Sequence, residues 1–269
     1  MECKICREEM ENIFSSILLY RHKVEYYYCK NCGFLQTQEP HWLQESYEQP
    51  INLSDTGLLQ RNIQLSKIAA MIIFFLFDRR GKFVDFAGGY GIFTRLMRDV
   101  GFDFYWYDIY TENMFAKGFE YYLSEDKKKI ELVTTFESFE HFVEPIAEIE
   151  KILQISPNLL FTTKLLPDPV PEPGKWWYYG QEHGQHVSFY SFKTLEYISR
   201  KFKLNLISTG TNIFMLTRRK INPLKFKLLV KSSRFGTDIF IRKILGNKTF
   251  SDMELIKGKK DKGQNEDII

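Results

Sequence analysis

Apolar residues follow a helical spacing in one stretch of the chain and form short continuous runs in several others. Between residues 56 and 77 they recur every three or four positions, which predicts a helix capped by Asp55 or Ser54 and ended by Asp78. The longest apolar run, Ile68 to Phe77, has ten residues, whereas a membrane-spanning helix needs about 20. We therefore expect a buried core helix.

Strands and helices alternate in the next part of the chain. An apolar strand from Lys82, a glycine-rich turn, a helix over Ile92 to Val100 and a strand over Phe102 to Tyr107 make a βαβ unit. A short third strand (KGFEYY) is expected after Asp108. Further elements are a strand and an amphipathic helix within Ile130 to Leu153, a strand over Asn158 to Leu166 and an antiparallel pair within Leu204 to Arg219. This alternation predicts an α/β fold with a Rossmann-like sheet.

The end of the chain is basic. After Pro223, cationic residues alternate with Phe, Leu and Ile, which is typical of an amphipathic helix that covers a flank of its own domain or contacts a membrane or protein partner. We expect disorder over 258–269. The cations are Lys225, Lys227, Lys231, Arg234, Arg242 and Lys243.

Composition limits the classes of function. The chain has 269 residues, 44% of them hydrophobic and 16% aromatic, which is enough for a substantial core. A net charge of +3 gives no support for an extended nucleic-acid-binding face. The polar N-terminus carries no visible secretory signal, so a cytoplasmic, reducing location is expected, in which clustered cysteines bind metal more often than they form disulfides.

All four cysteines lie in the first 32 residues. Cys3 and Cys6 form one C-x-x-C pair, and Cys29 and Cys32 form another after a gap of 22 residues. Two such turns can supply four thiolates to one tetrahedral zinc ion with no open position, so the predicted role is structural, within a small zinc-ribbon-like module. A redox or incidental role is the alternative.

The glycine-rich turn indicates a nucleotide site. Asp85 ends the first strand of the βαβ unit, Gly88, Gly89 and Gly91 form the turn, and Asp108 ends the second strand. The glycines allow the backbone to approach a ligand closely, and Asp108 can accept hydrogen bonds from both hydroxyls of a ribose. A turn without a ligand is the alternative.

The pattern D-x-A-x-G-x-G resembles motif I of the class I methyltransferases, which use S-adenosylmethionine and have a seven-stranded sheet whose last hairpin is antiparallel. Ala87 stands where the family has its first glycine. Thr94 stands where a dinucleotide-binding turn would have its last glycine, which weakens the NAD interpretation. A second segment, Phe136, Glu137 and on to His141, resembles the family's stretch beneath the cofactor, although an acid there also suits a helix start.

A long loop from Pro167 to Ser191 follows the predicted fifth strand, where substrates bind in open α/β sheets. Its aromatic residues suit stacking on a sugar or a base, and its histidines suit proton transfer near neutral pH. The alternative is a lid whose aromatic residues pack only among themselves. The candidates for substrate contact and catalysis here are Trp176, Trp177, Tyr179, His183, Gln185 and His186.

The order of these segments resembles the sugar C-methyltransferases that act on nucleotide-linked deoxy-keto sugars, and their relatives in polysaccharide clusters. The resemblance covers Cys3 to about Lys220. It implies that His186 is the base, with His183 or Tyr179 assisting, and that Tyr47 reaches the acceptor. The family has an acid where this chain has Gln185, which makes O-methylation of a glycan or nucleotide sugar a serious competitor to C-methylation.

These predictions divide the chain into a zinc module (1–45), a linker and helix (46–80), a methyltransferase domain (81–220), a basic extension (221–257) and a tail. The expected function is methylation of a sugar or nucleotide sugar with S-adenosylmethionine, without nucleic acid. Two alternatives are an RNA-modifying methyltransferase with a zinc ribbon, and a methyltransferase fold that serves as a non-catalytic scaffold.

Overall fold

The computed structural model describes residues 1–48, 55–123 and 129–264, with side chains as far as residue 258. The residues form two compact units, one made of Met1–Thr56 and Leu132–Lys227, the other of Gly57–Glu131 and Leu228–Ile269. The strands are β1 (Glu11–Leu18), β2 (His22–Tyr28), β3 (Leu35–Thr37), β4 (Lys82–Phe86), β5 (Asp103–Tyr107), β6 (Ile130–Thr135), β7 (Asn158–Thr162), β8 (Ser188–Phe189), β9 (Asn205–Ser208) and β10 (Ile213–Thr217). The α-helices are α1 (Leu43–Ser46), α2 (Leu58–Leu76), α3 (Ile92–Val100), α4 (Pro145–Ile155), α5 (Phe192–Lys201), α6 (Pro223–Ser232), α7 (Thr237–Leu245) and α8 (Thr249–Gln264).

The first unit contains an antiparallel sheet of four strands in the order β1-β2-β3-β8. Strand β8 pairs Phe189 with Leu35 and Ser188 with Gln36 of β3, so a strand from the end of the long loop completes the N-terminal sheet. The buried face carries Val24, Tyr26 and Leu35 into a core cluster shared with residues of the loop. The cysteine-bearing N-terminus therefore packs within this unit, and the boundary at residue 45 stays a prediction.

The α/β part of the chain contains a mixed sheet of six strands, β4 to β7, β9 and β10. Within the first unit, β6 and β7 run parallel, and β10 lies antiparallel to both β7 and β9. This confirms the α/β class and the antiparallel final hairpin. Seven strands were predicted, but KGFEYY contributes only an isolated parallel bridge between Glu120 and Trp106.

The second unit contains the βαβ element. Strands β4 and β5 are parallel, with Lys82 opposite Asp103 and Phe86 opposite Tyr107. Helix α2 packs against α3 and α7, and it buries the apolar stripe that the sequence predicts, including Leu65, Ala69 and Ile72. None of the helices in the described residues combines the length and apolar character needed to cross a bilayer.

Two helix ends differ from the predictions. Helix α2 begins after Gly57 with no side-chain cap, so Asp55 does not serve as the cap, and Ser54 lies outside the described residues. Helix α8 continues to Gln264, which replaces the expected disorder over 258–264, while 265–269 lie outside the described residues. A buried ion pair anchors α8: the guanidinium of Arg98 donates from Nε and Nη2 to the two oxygens of Asp252, at 2.8 and 2.7 Å.

Candidate functional site

The four cysteines converge at the N-terminus. The Sγ atoms of Cys3 and Cys32 are 3.5 Å apart, those of Cys6 and Cys29 are 3.4 Å apart, and all four lie within 4.8 Å of one another. A hydrogen bond from the Cys32 thiol lowers the pKa of Cys3 to about 5. Zinc–sulfur bonds of about 2.3 Å place tetrahedral ligands about 3.8 Å apart, so the cluster fits a zinc ion.

The second cysteine turn is held to the rest of its unit by close packing. Gly33 has φ +71°, and a Cβ at this position would lie 2.3 Å from Oγ of Ser191. The hydroxyl of Thr194 donates to the Cys32 carbonyl at 2.9 Å. These contacts join the turn to the N-terminus of α5, so the cysteine cluster is anchored to the segment that follows the long loop.

The glycine turn has the backbone geometry that a cofactor turn requires. Gly89 and Gly91 have φ +54° and +84°, and Gly91 is the N-cap of α3. A Cβ on Gly88 would lie 2.7 Å from Cδ1 of Trp106 and 2.8 Å from Oδ2 of Asp85. Ala87 adopts φ +56°, a left-handed conformation that glycine adopts at lower cost. The backbone of the turn therefore depends on the absence of a side chain at Gly88, Gly89 and Gly91.

The two acids predicted for this site lie at the ends of adjacent strands. Asp85 is buried and accepts a hydrogen bond from the Thr94 hydroxyl at 3.2 Å. Asp108 accepts from three backbone N–H groups, those of Gly89 at 2.9 Å, Tyr110 at 2.7 Å and Thr111 at 3.0 Å. Asp108 thus fixes the turn, and its oxygens keep further acceptor capacity for a ribose.

The other predicted cofactor residues belong to the first unit. Glu137 has φ +52°, and its backbone N–H and side chain both bond Thr162: the amide donates to Oγ1 at 2.8 Å, and Oγ1 donates to the carboxylate at 2.7 Å. Phe136, just before it, is half-buried. Thr162 therefore holds the backbone immediately after β6 in an unusual conformation, which is common at functional sites.

Three histidines gather in the first unit. The rings of His141 and His186 have centroids 4.9 Å apart, and those of His183 and His186 are 4.7 Å apart. Nδ1 of His186 lies 2.6 Å from the carbonyl oxygen of Tyr178. A carbonyl can only accept, so Nδ1 carries the proton and Nε2 keeps its lone pair. Burial lowers the pKa of His186 well below its usual value, with His141 and His183 adding to the effect, so the ring is neutral at pH 7.

Tyr47, the residue predicted to reach the acceptor, joins this cluster. Its hydroxyl lies 3.1 Å from Nδ1 of His141. Burial lowers the pKa of His141 to about 4, with His183 adding to the effect and a hydrogen bond to the Gln185 backbone opposing it. The indole N–H of Trp42 donates to the Gly184 carbonyl at 2.8 Å, which ties α1 to the long loop and positions Tyr47.

His183 and Gln185 have supporting contacts of their own. Nδ1 of His183 accepts from the Gln185 backbone N–H at 3.1 Å, so its proton, when the ring is neutral, sits on Nε2. Burial lowers the pKa of His183, while Glu182 and Asp55 oppose that effect. The amide of Gln185 donates to the Ser46 carbonyl at 2.8 Å, so this side chain fixes the loop against α1.

The aromatic residues of the loop differ in how far they are exposed. Tyr179 is 1% exposed, packs on Tyr26 and Phe189, and donates its hydroxyl to the Pro171 carbonyl at 2.7 Å. Trp176 is likewise buried in the core cluster. Both side chains fill the N-terminal core because they cover the face of the β1-β2-β3-β8 sheet, and the catalytic role of Tyr179 and the substrate contact of Trp176 stay predictions. Trp177 is 73% exposed, with the Lys164 ammonium 5.5 Å from its ring centroid.

Two residues of the cluster carry roles that sequence reasoning did not assign. Glu140 is 1% exposed, and a carboxylate oxygen lies within 4.8 Å of ring nitrogens of His141 and His186. Tyr178 orients His186 through its carbonyl, and its hydroxyl accepts from the Lys164 backbone N–H at 3.2 Å. The adjacent acid and histidine, Glu140 and His141, are a sequence pattern that could have indicated Glu140. Tyr178 contacts His186 through its backbone carbonyl, which every residue type has, so no sequence pattern indicates this contact.

Known structures with detectable similarity include methyltransferases of several kinds. An O-methyltransferase family protein from Burkholderia thailandensis is 15% identical over 61% of this chain and 56% of its own, with a TM-score of 0.45. Magnesium protoporphyrin IX methyltransferase from Synechocystis PCC 6803, solved with bound SAM, is 14% identical over 67% and 93%, at 0.41. Human N-acetylserotonin methyltransferase with SAM is 12% identical over 66% of each chain, at 0.44. No curated protein matches the chain.

The family model described as "Methyltransferase domain" matches residues 59–209, more than half of the chain. The matched region includes the glycine turn, Asp108, the Glu140-His141 pair and the long loop with His186. The chain belongs to this methyltransferase family and is a class I S-adenosylmethionine-dependent methyltransferase.

Proposed function

We propose that the enzyme methylates a sugar, either a nucleotide-linked sugar or a glycan, and that Nε2 of His186 removes the proton. The observation that carries the proposal is the 2.6 Å hydrogen bond from His186 Nδ1 to the Tyr178 carbonyl. It leaves a lone pair on the other nitrogen of a ring that burial keeps neutral. A neutral, oriented imidazole is the form that a general base requires.

The reaction needs a donor, a nucleophile and a base. S-adenosylmethionine supplies an electrophilic methyl group on a sulfonium. We assign the glycine turn and Asp108 to holding the donor. The acceptor oxygen, or a carbon next to a ketone, forms the new bond to the methyl carbon as the sulfur–carbon bond breaks and its electrons return to sulfur. His186 takes the acceptor's proton, so the products are the methylated sugar and S-adenosylhomocysteine.

Glu140 supplies the acid that the resembling family has at the position of Gln185. A positive charge forms on His186 when it accepts the proton, and the buried carboxylate lies within 4.8 Å of the His141 and His186 nitrogens. Charges interact strongly in such a buried setting, so Glu140 stabilises the imidazolium. Tyr47 and His141, 3.1 Å apart, provide a second polar pair for the acceptor's hydroxyl groups.

Trp177 is the residue of the loop that is available for a sugar. Its indole is largely exposed, and a Lys164 ammonium beside the ring can pair with the phosphate of a nucleotide sugar. We therefore keep Trp177 as a substrate residue. We also propose that Cys3, Cys6, Cys29 and Cys32 hold a structural zinc ion, because their separations match a closed tetrahedral shell.

The proposal is tested by mass spectrometry of nucleotide sugars and glycan fragments incubated with the enzyme and donor. One added methyl group on a sugar supports the proposal. If the Glu140→Gln enzyme gives no methylated sugar, Glu140 is the acid that assists His186. Transfer to tRNA or rRNA instead, with salt-dependent filter binding, would replace the sugar by an RNA acceptor. No heat of binding with S-adenosylmethionine would favour a scaffold.

A further inference from the structure

Positive charge is concentrated near the end of the described chain. Residues 223–248 contain seven Lys and Arg residues against one acid, Asp238, which gives this segment a net charge of +6. The rest of the chain then has 30 basic and 33 acidic residues, a net charge of −3. The overall charge of +3 therefore hides a strongly basic segment on an otherwise acidic protein.

The same segment exposes large apolar side chains. In α6, the turn that follows it and α7, Leu228, Phe235, Ile239 and Phe240 are 58%, 77%, 60% and 59% exposed. Helix α7 packs on α2 and α3, and Ile241 is its fully buried residue. The segment thus uses few apolar residues for its own packing and leaves the others to solvent.

These apolar residues and the cations between them form what we call the basic–apolar surface. Phe240 and Ile244 are four residues apart and share one side of α7, with Lys243 between them in sequence. Isolated exposed apolar residues are ordinary, but a run of this kind marks an interaction site. The surface comprises Leu228, Lys231, Arg234, Phe235, Ile239, Phe240, Arg242, Lys243 and Ile244.

We propose that the basic–apolar surface binds an anionic lipid bilayer. Cations interleaved with phenylalanine and isoleucine match a surface that offers negative headgroups and, just below them, hydrocarbon. A nucleic acid would pair with the cations but would leave Leu228, Ile239 and Ile244 in water. The protein is thereby held at the membrane by side chains that lie in the interface and do not cross it.

The test uses the full-length protein and sedimentation with vesicles. Vesicles of phosphatidylcholine with phosphatidylglycerol should carry the protein down, vesicles of phosphatidylcholine alone should not, and 0.5 M salt should weaken binding. Neutralising four cations should raise the lipid concentration for half-binding about 1,000-fold. That variant combines Lys231→Gln, Arg234→Gln, Arg242→Gln and Lys243→Gln.

A second variant and a matched control separate surface chemistry from folding and from total charge. Phe240→Ser with Ile244→Ser removes apolar surface that is already exposed, and binding should weaken about tenfold. The control removes four exposed cations elsewhere and should bind as the unaltered protein does. Failure of the unaltered protein to sediment, equal loss in the control, or self-association that the serine variant abolishes would each overturn the proposal. The control combines Lys23→Gln, Lys30→Gln, Arg200→Gln and Lys201→Gln.

Discussion

Alanine substitutions in the glycine turn can separate two constraints, the space for a Cβ and the positive φ, because neighbouring positions differ in which of the two applies. Gly88 meets a steric constraint, because a Cβ would lie 2.7 Å from Trp106 Cδ1. Gly89 meets only a conformational one, with φ +54° and nothing within 4 Å of a Cβ. Gly91 meets both, with φ +84° and Oδ1 of Asn113 2.7 Å from the Cβ position. Ala87 has the positive φ with a side chain already in place.

The expected changes in the free energy of unfolding follow from these constraints. A left-handed alanine costs about 1–2 kcal/mol, overpacking costs about 1–3 kcal/mol, and replacing glycine recovers about 0.4–1 kcal/mol through the unfolded chain. We expect losses of about 0.5 kcal/mol for Gly89→Ala, about 1.5 for Gly88→Ala and about 3 for Gly91→Ala. Ala87→Gly should stabilise the protein by about 0.5 kcal/mol.

The assay is urea unfolding followed by tryptophan fluorescence, with titration calorimetry of S-adenosylmethionine on the folded variants. Donor affinity should fall most for Gly88→Ala and Gly91→Ala, because relief of either collision moves the turn. Gly174→Ala is the control, since this glycine has φ +77° with nothing within 4 Å of a Cβ and lies outside the turn. Equal losses of stability for Gly89→Ala and Gly91→Ala would refute the reasoning.

Three further predictions concern the metal centre, a buried ion pair and a histidine. Native mass spectrometry should find one zinc ion per chain, and Cys6→Ser should lose it and lower the melting temperature. Asp252→Asn should destabilise the protein by about 2–3 kcal/mol in urea unfolding, because the buried guanidinium of Arg98 loses its two-point contact with this carboxylate and keeps the ion pair with Asp103; a change below about 1 kcal/mol would contradict this. His141 has a folded pKa of about 4 against about 6.5 unfolded, so stability is full above pH 6.5 and falls as the pH drops towards 4. Unfolding at pH 7 and 4.5 should differ by about 2 kcal/mol from this residue, and His141→Gln should remove that part.

The local elements of the fold could be predicted from the sequence because their signals are local. The βαβ unit shows in apolar runs and in glycines that few other residues could replace. The spacing of Cys3, Cys6, Cys29 and Cys32 indicates the metal cluster in the same way. The histidine cluster could be predicted only in part. His141 lies in a segment that was predicted to bind the cofactor, and His183 and His186 lie in a loop that was predicted to contact the substrate.

Other features depend on contacts between distant segments and left no local signal. The pairing of β3 with β8 joins Leu35 to Phe189, and it is this sheet that buries Tyr179. A sequence rich in aromatic residues does not show which of them face a core, so the burial of Tyr179 could not be predicted. Helix α8 has a polar, lysine-rich sequence, and its Asp252 is held by Arg98, 154 positions away.

The measurement that tests the central claim most directly compares His186→Gln with the unaltered enzyme. Both are assayed at saturating methyl-labelled S-adenosylmethionine with a sugar that the unaltered enzyme methylates. The account predicts donor binding in the micromolar range, roughly −8 kcal/mol, that is unchanged in the variant. It predicts transfer slowed by about 100-fold or more, because Nε2 no longer takes the acceptor's proton. Transfer at the unaltered rate in His186→Gln would contradict it.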